Sequence, residues 1–89
     1  MILESGKVIR ISGDNPARCY FAVQNLASSL SDIIYLMQAD NEGEVMKNQG
    51  IAISAYGMFE IQHCSSFQSK KAWYVYTEQS GIDIRVVDI

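Results

Sequence analysis

The chain has 89 residues, 48% apolar and 19% charged, with 7 Lys and Arg against 10 Asp and Glu for a net charge of −3. That apolar content excludes a disordered chain, which lacks the hydrophobicity to offset its ordering entropy. The acidic balance excludes a cationic field able to neutralise nucleic-acid phosphates, and no stretch approaches the roughly 18 consecutive apolar residues of a membrane-spanning helix.

The length predicts a single domain over residues 1–89. A domain of this size buries only about 60–65% of the surface its unfolded chain exposes, so modest stability is expected of the chain alone. The first residues, "MILESGK", have no basic start followed by an apolar run, and a soluble chain without a secretion signal is expected.

The first element is "KVIRIS", Lys7 to Ser12. Ile9 and Ile11 fall on one face, with Lys7 and Arg10 near the other, and the turn formers "SGDNP" follow. The next stretch, "DNPARCYFAVQNLASSLSDIIYLM" from Asp14 to Met37, has two readings. Val23, Leu26, Leu30, Ile33, Ile34 and Met37 recur at spacings of three and four, as on an amphipathic helix that Asp14 or Asn15 would start before Pro16. Against this, Cys19, Phe21 and Val23 alternate with Tyr20, Ala22 and Gln24. "NLASSLSD" is crowded with turn-favouring residues, and "DIIYLM" favours a strand. Pro16 also pushes Asn15 toward extended backbone. The expectation is two strands within residues 18–38, joined by a turn at Leu26–Ser31.

A polar loop, Gln38–Gln49, comes next, longer than the two to five residues usual in a hairpin connection. "GIAIS" is a short strand opened by Gly50. "GMFEIQ" sets Phe59 and Ile61 against Glu60 and Gln62. "SSFQSKK" reads as a solvated loop carrying the one basic pair, Lys70-Lys71. "AWYVYT" is rich in aromatic and β-branched residues, bulky enough on both faces that one is expected to meet the core and the other a neighbour. "GIDIRVVDI" sets Ile82, Ile84 and Val86 against Asp83 and Arg85. No internal repeat, low-complexity segment or linker interrupts the series.

The chemistry-bearing residues are sparse. Two cysteines, Cys19 and Cys64, are too few for a disulfide framework and too far apart for a CxxC motif, so buried thiols are expected. A zinc site from Cys19, His63 and Cys64 would lack a fourth ligand, and adjacent ligands do not match structural zinc spacing. If 63–64 is extended, His63 and Cys64 point to opposite faces and form no nucleophile pair. No catalytic residue, cofactor site or metal site is therefore expected.

The order "NPAR", "FAVQN", "SDIIYLM", "GIAISAYGMFEI", "WYVYT", "GIDIRVVDI" resembles small all-β modules of tailed bacteriophage virions, over roughly residues 7 to 89. Such modules serve as head decoration or cement proteins and as domains of tail and fibre proteins. The resemblance implies a small antiparallel β-sandwich or jelly-roll-like barrel of about seven or eight strands. It also implies structural roles at turns and strand junctions: Asn15 and Pro16 setting a turn, Arg18 donating to carboxylates or carbonyls, Asn25 ending its strand, and Gly57 allowing a tight approach before Phe59. The sequence departs from the pattern in its long loop Gln38–Gln49 and in "AYG", where Pro and Gly would be typical.

Three functions follow as expectations. The first is a virion structural protein that decorates a phage head, binding the major capsid protein or another virion protein, with a homo-oligomer, trimer favoured, and with neither nucleic acid nor membrane as partner. The second is a tail or fibre recognition module binding carbohydrate or a host surface. The third is an enzyme, or an inhibitor of a host enzyme, for which no acid/base pair or activated nucleophile speaks. The candidate interface is Tyr56, Trp73, Tyr74 and Tyr76 with Asn41 and Glu42 of the long loop, the aromatic rings offering faces to a partner.

Overall fold

A computed structural model describes residues 1–39, 41–45, 50–62 and 71–89, with Glu44 described by its backbone alone. The readings that fall on His63, Cys64 and Lys70, and on Asp40 and residues 46–49 of the long loop, lie outside the described residues.

Among the described residues the chain forms seven strands: β1 (Val8–Ser12), β2 (Tyr20–Asn25), β3 (Ile34–Gln38), β4 (Ile51–Ile53), β5 (Met58–Gln62), β6 (Trp73–Thr77) and β7 (Ile84–Asp88). A single 3-10 turn, Glu42–Glu44, lies between β3 and β4. All pairings are antiparallel, in two sheets with strand orders β1-β6-β3-β4 and β5-β2-β7.

The ambiguous stretch is strand, turn, strand. Phe21, Val23 and Asn25, spaced by two, are each 0% exposed, whereas Leu30, which a helical stripe would have turned inward, is 85% exposed. The two-residue period wins because β2 lies between β5 and β7, and both ladders satisfy its backbone while one face fills the core.

That core joins the two sheets. Phe21 and Val23 of β2 and Ile84 of β7 meet Ile34 and Leu36 of β3, Ile53 of β4 and Val75 of β6, with Leu3 and Ile82 filling one end. The Trp73 ring stacks on Phe21, centroids 4.9 Å apart at 8°, and Phe59 tilts against it at 5.4 Å. Each large apolar side chain so buried contributes about 1.5–3 kcal/mol against the ordering entropy.

Strand β6 is buried at all five positions. Trp73 and Val75 face the core, while Tyr74 packs on the opposite face with Ala39, Ala72, Val8 and Val45. The long loop thus folds back at Ala39 and Val45 to cover the outer face of the larger sheet.

The two lateral edges of the sandwich are built differently. On one, the four-residue turn 54–57 carries the chain from β4 directly to β5 and so from one sheet to the other. On the other, β1 and β7 face each other across side-chain bonds, and residues 1–3 lie along the start of β7. There an isolated bridge pairs Ile2 with Asp83, and Leu3 N–H donates to Ile82 O at 2.8 Å.

Candidate functional site

The β1/β7 edge is closed by Arg18. Its position follows from the turn before β2: Arg18 N–H donates to Asn15 O at 3.1 Å, Asn15 Oδ1 accepts from Ala17 N–H at 3.1 Å, and Pro16 occupies the second turn position, where its fixed φ fits. This turn points the Arg18 side chain inward to 0% exposure. Nε donates to Asp88 Oδ1 at 2.7 Å and Nη2 to Asp88 Oδ2 at 3.2 Å, a two-pronged pairing only a guanidinium can make. Nη1 reaches Lys71 O at 2.9 Å, and Nη2 also reaches Ser12 Oγ at 2.5 Å and Gly13 O at 2.6 Å. The guanidinium carbon lies 5.4 Å from the Phe21 ring centroid.

Ser12 enters this cluster through an irregularity. The β1/β6 register shifts between Arg10 and Ser12, so Ile11 and Ser12 together oppose Trp73, and Ser12 turns inward to donate to Asp88 Oδ2. Simple alternation, with Ile9 and Ile11 inward, places Ser12 outside, and nothing in its sequence neighbourhood signals the bulge. Burial opposes ionisation of Asp88, but the hydrogen bonds and charge of Arg18, with further bonds from Ser12 and Asn15, prevail and hold its carboxyl below the ordinary value.

At the opposite end of β2, Asn25 is a junction. Fully buried, it donates through Nδ2 to Asp32 O at 2.8 Å and Ile53 O at 3.0 Å, and accepts at Oδ1 from Ala27 N–H at 2.9 Å. Its backbone pairs with Gly57 O at 3.0 Å and Tyr56 N–H at 2.8 Å. Beyond ending its own strand, it ties the 26–33 loop and the 54–57 turn to one point.

That turn is where the sequence has "AYG". Gly57 N–H donates to Ser54 O at 2.9 Å, closing a four-residue turn with Tyr56 third, at φ +61°. A left-handed backbone there suits glycine, and a bulky aromatic adopts it only when its surroundings hold it. A Cβ on Gly57 would sit 3.0 Å from Ser54 O and 3.1 Å from Ile53 Cγ2, so a side chain there fits only if these neighbours shift by a few tenths of an ångström.

The remaining candidates divide. Tyr56 is 65% exposed, and Asn41 and Glu42 are exposed at the start of the 3-10 turn. Trp73, Tyr74 and Tyr76 are not an accessible aromatic face: they are 3%, 5% and 8% exposed, because β6 lies between β1 and β3 with both its faces covered. Ile51 and Met58 join Tyr56 as exposed apolar residues on the β4/β5 edge. Met58 was legible in outline, since it shares the outward face of Glu60 and Gln62.

Cys19 is not a buried thiol. It is exposed and disulfide-bonded, and the chain's other cysteine, Cys64, lies outside the described residues. Its exposure follows from alternation next to the inward Arg18. A disulfide sulfur is no thiolate ligand, and among the described residues no group of three or more His, Cys, Asp or Glu is arranged to hold a metal ion.

These features define an all-β, two-sheet antiparallel domain with one edge clasped by an arginine and the other bearing exposed apolar residues. Compared with models of protein families, with curated proteins and with solved structures, the chain matches none.

Proposed function

We propose that the chain is a non-enzymatic virion structural protein, a decoration or cement protein that binds the outer surface of a phage head and stabilises the shell. The observation that carries this reading is the β4/β5 edge. Among the described residues β4 pairs only with β3, and β5 only with β2, so each offers an outer row of backbone N–H and C=O groups. Ile51, Tyr56 and Met58 stand exposed beside them. An extended segment of a shell subunit laid along this edge satisfies the backbone groups and covers the apolar side chains. The support for the phage assignment is the sequence resemblance carried by motifs such as "NPAR" and "GMFEI".

Binding to the folded state stabilises the protein by mass action, and a cement spanning neighbouring shell subunits opposes their separation. A trimer places three such edges around one shell axis. Asn41 and Glu42 sit on the 3-10 turn beside β1, at the other edge of the larger sheet, and stay outside this contact. The test is to strip or delete the protein and heat the particles: loss of the genome at a lower temperature without it supports the reading, and an unchanged temperature rejects it. In that case Tyr56, exposed at a turn tip, favours a tail or fibre recognition module binding carbohydrate or a host surface.

A further inference from the structure

In the larger sheet the inward column of β3 and β6 runs Ile34 opposite Thr77, Leu36 opposite Val75, and Gln38 opposite Trp73. The first two pairs are fully buried. The third brings two polar side chains side by side on the core face, at the end of the sandwich where Ser12 and Arg18 lie. Gln38 Nε2 and Trp73 Nε1 are both buried and neither has a hydrogen-bond partner. Both are donors, so they cannot satisfy one another. Leaving a buried donor unpaired costs about 1–3 kcal/mol, and native folds leave few such groups.

We infer that Gln38 Nε2 and Trp73 Nε1 together bind one internal water molecule, which accepts a hydrogen bond from each. Four observations lead to it. The two donors belong to residues at facing register positions on adjacent strands, with both side chains on the same face of the sheet. Phe21 stacks on the indole at 4.9 Å and Phe59 packs against it at 5.4 Å, and neither ring carries an oxygen or nitrogen to accept from Nε1. Ser12, which also opposes Trp73, directs its hydroxyl hydrogen to Asp88 and accepts from Arg18 Nη2 at 2.5 Å. Finally, two convergent donors meet the lower bound of two to four partners that an internal water needs. The site belongs to the folded chain and is independent of whether it binds a phage head.

The experiment is water-to-protein cross-relaxation on the isotopically labelled chain. Trp73 is the only tryptophan, so its indole N–H resonance identifies itself. A cross-peak from water to both the Trp73 indole N–H and the Gln38 side-chain amide is expected, with the sign of cross-relaxation rather than of proton exchange. In Gln38→Leu the Trp73 cross-peak should be lost while the amide spectrum stays dispersed. Should that variant fail to fold, electron density of the unaltered protein decides, with a water within about 3.2 Å of both nitrogens as the expected result. Three results would overturn the inference: no water cross-peak at Trp73, a cross-peak that persists in folded Gln38→Leu, or density placing a protein oxygen, Gln38 Oε1 included, on the indole nitrogen.

Discussion

Arg18 and Asp88, 70 positions apart, meet through two nitrogen–oxygen contacts at 2.7 and 3.2 Å, with the guanidinium fully buried and the carboxylate side chain 26% exposed. This pair, with Ser12 between its members, holds the end of β7 to the end of β1 and so joins the two sheets where no backbone ladder does. Removing Asp88 leaves the buried guanidinium uncompensated; breaking a fully buried pair costs about 3–5 kcal/mol, and the partial exposure of Asp88 makes the cost smaller here. Arg18→Lys keeps the charge but loses the planar fork and the contacts to Ser12, Gly13 and Lys71, so it should lower the melting temperature well beyond Arg10→Lys, a change at an exposed position. Equal melting temperatures for the two variants would show that the clasp contributes nothing.

Acid should open the same joint. The Asp88 carboxyl is held below its ordinary value of 3.8, so its ionisation is favoured more in the folded than in the unfolded chain. Its contribution is fully present above the unfolded value and is lost as pH falls through the folded one, so stability should decline below about pH 4. Glu4, lowered by its bond to Lys7, acts in the same direction, but that pair is solvent-exposed and screened. Melting curves from pH 2 to 6 should therefore show a shallower acid decline in Asp88→Asn, and little change in Glu4→Gln.

Tyr56 should be costly to the fold and useful to binding. Relieving a left-handed backbone with glycine recovers about 0.5–1 kcal/mol, so Tyr56→Gly should raise the melting temperature slightly. The same variant should bind shell particles more weakly than the unaltered chain if the β4/β5 edge is the contact. A destabilised Tyr56→Gly would mean that the aromatic ring packs against its own chain strongly enough to outweigh the strain.

Thiol titration checks the disulfide at Cys19. With Cys19 disulfide-bonded and no free cysteine among the described residues, Cys19 of the unreduced, denatured chain should not react with a thiol reagent. Reduction should then lower the melting temperature, because the cross-link restricts the unfolded ensemble. A reactive thiol mapped to Cys19 in freshly purified protein would contradict the structure.

Strand identity was legible in the sequence wherever one face of a strand meets the core and the other meets water. Phe59 and Ile61 against Glu60 and Gln62, or Ile82 and Ile84 against Arg85, carry their orientation in the two-residue period, and Asn15-Pro16 carries its turn in local backbone chemistry. The helix-like spacing of Val23, Leu26 and Leu30 was present as well, but alternation before Asn25 and turn density after it outweighed it, and strand pairing on both sides of β2 agrees with that reading. Strand β6 was recognisable as a strand, but its bulk on both faces left open which aromatic residues were core, and placement between β1 and β3 buried all three.

The sequence by itself determined an all-β chain, its strands and most of its turns, because those depend on neighbours within a few positions. Tertiary structure alone decided the partners. The sequence does not say which carboxylate Arg18 meets: Glu60 accepts from Tyr20, Asp83 pairs with the Met1 amino group, and Asp88 receives the guanidinium. The bulge that turns Ser12 inward, the pairing of Gln38 with Trp73, and the exposure of Ile51, Tyr56 and Met58 on one edge were decided in the same way. Each depends on which strands become neighbours across dozens of residues, and alternation within a strand encodes which face is apolar but not what that face will meet.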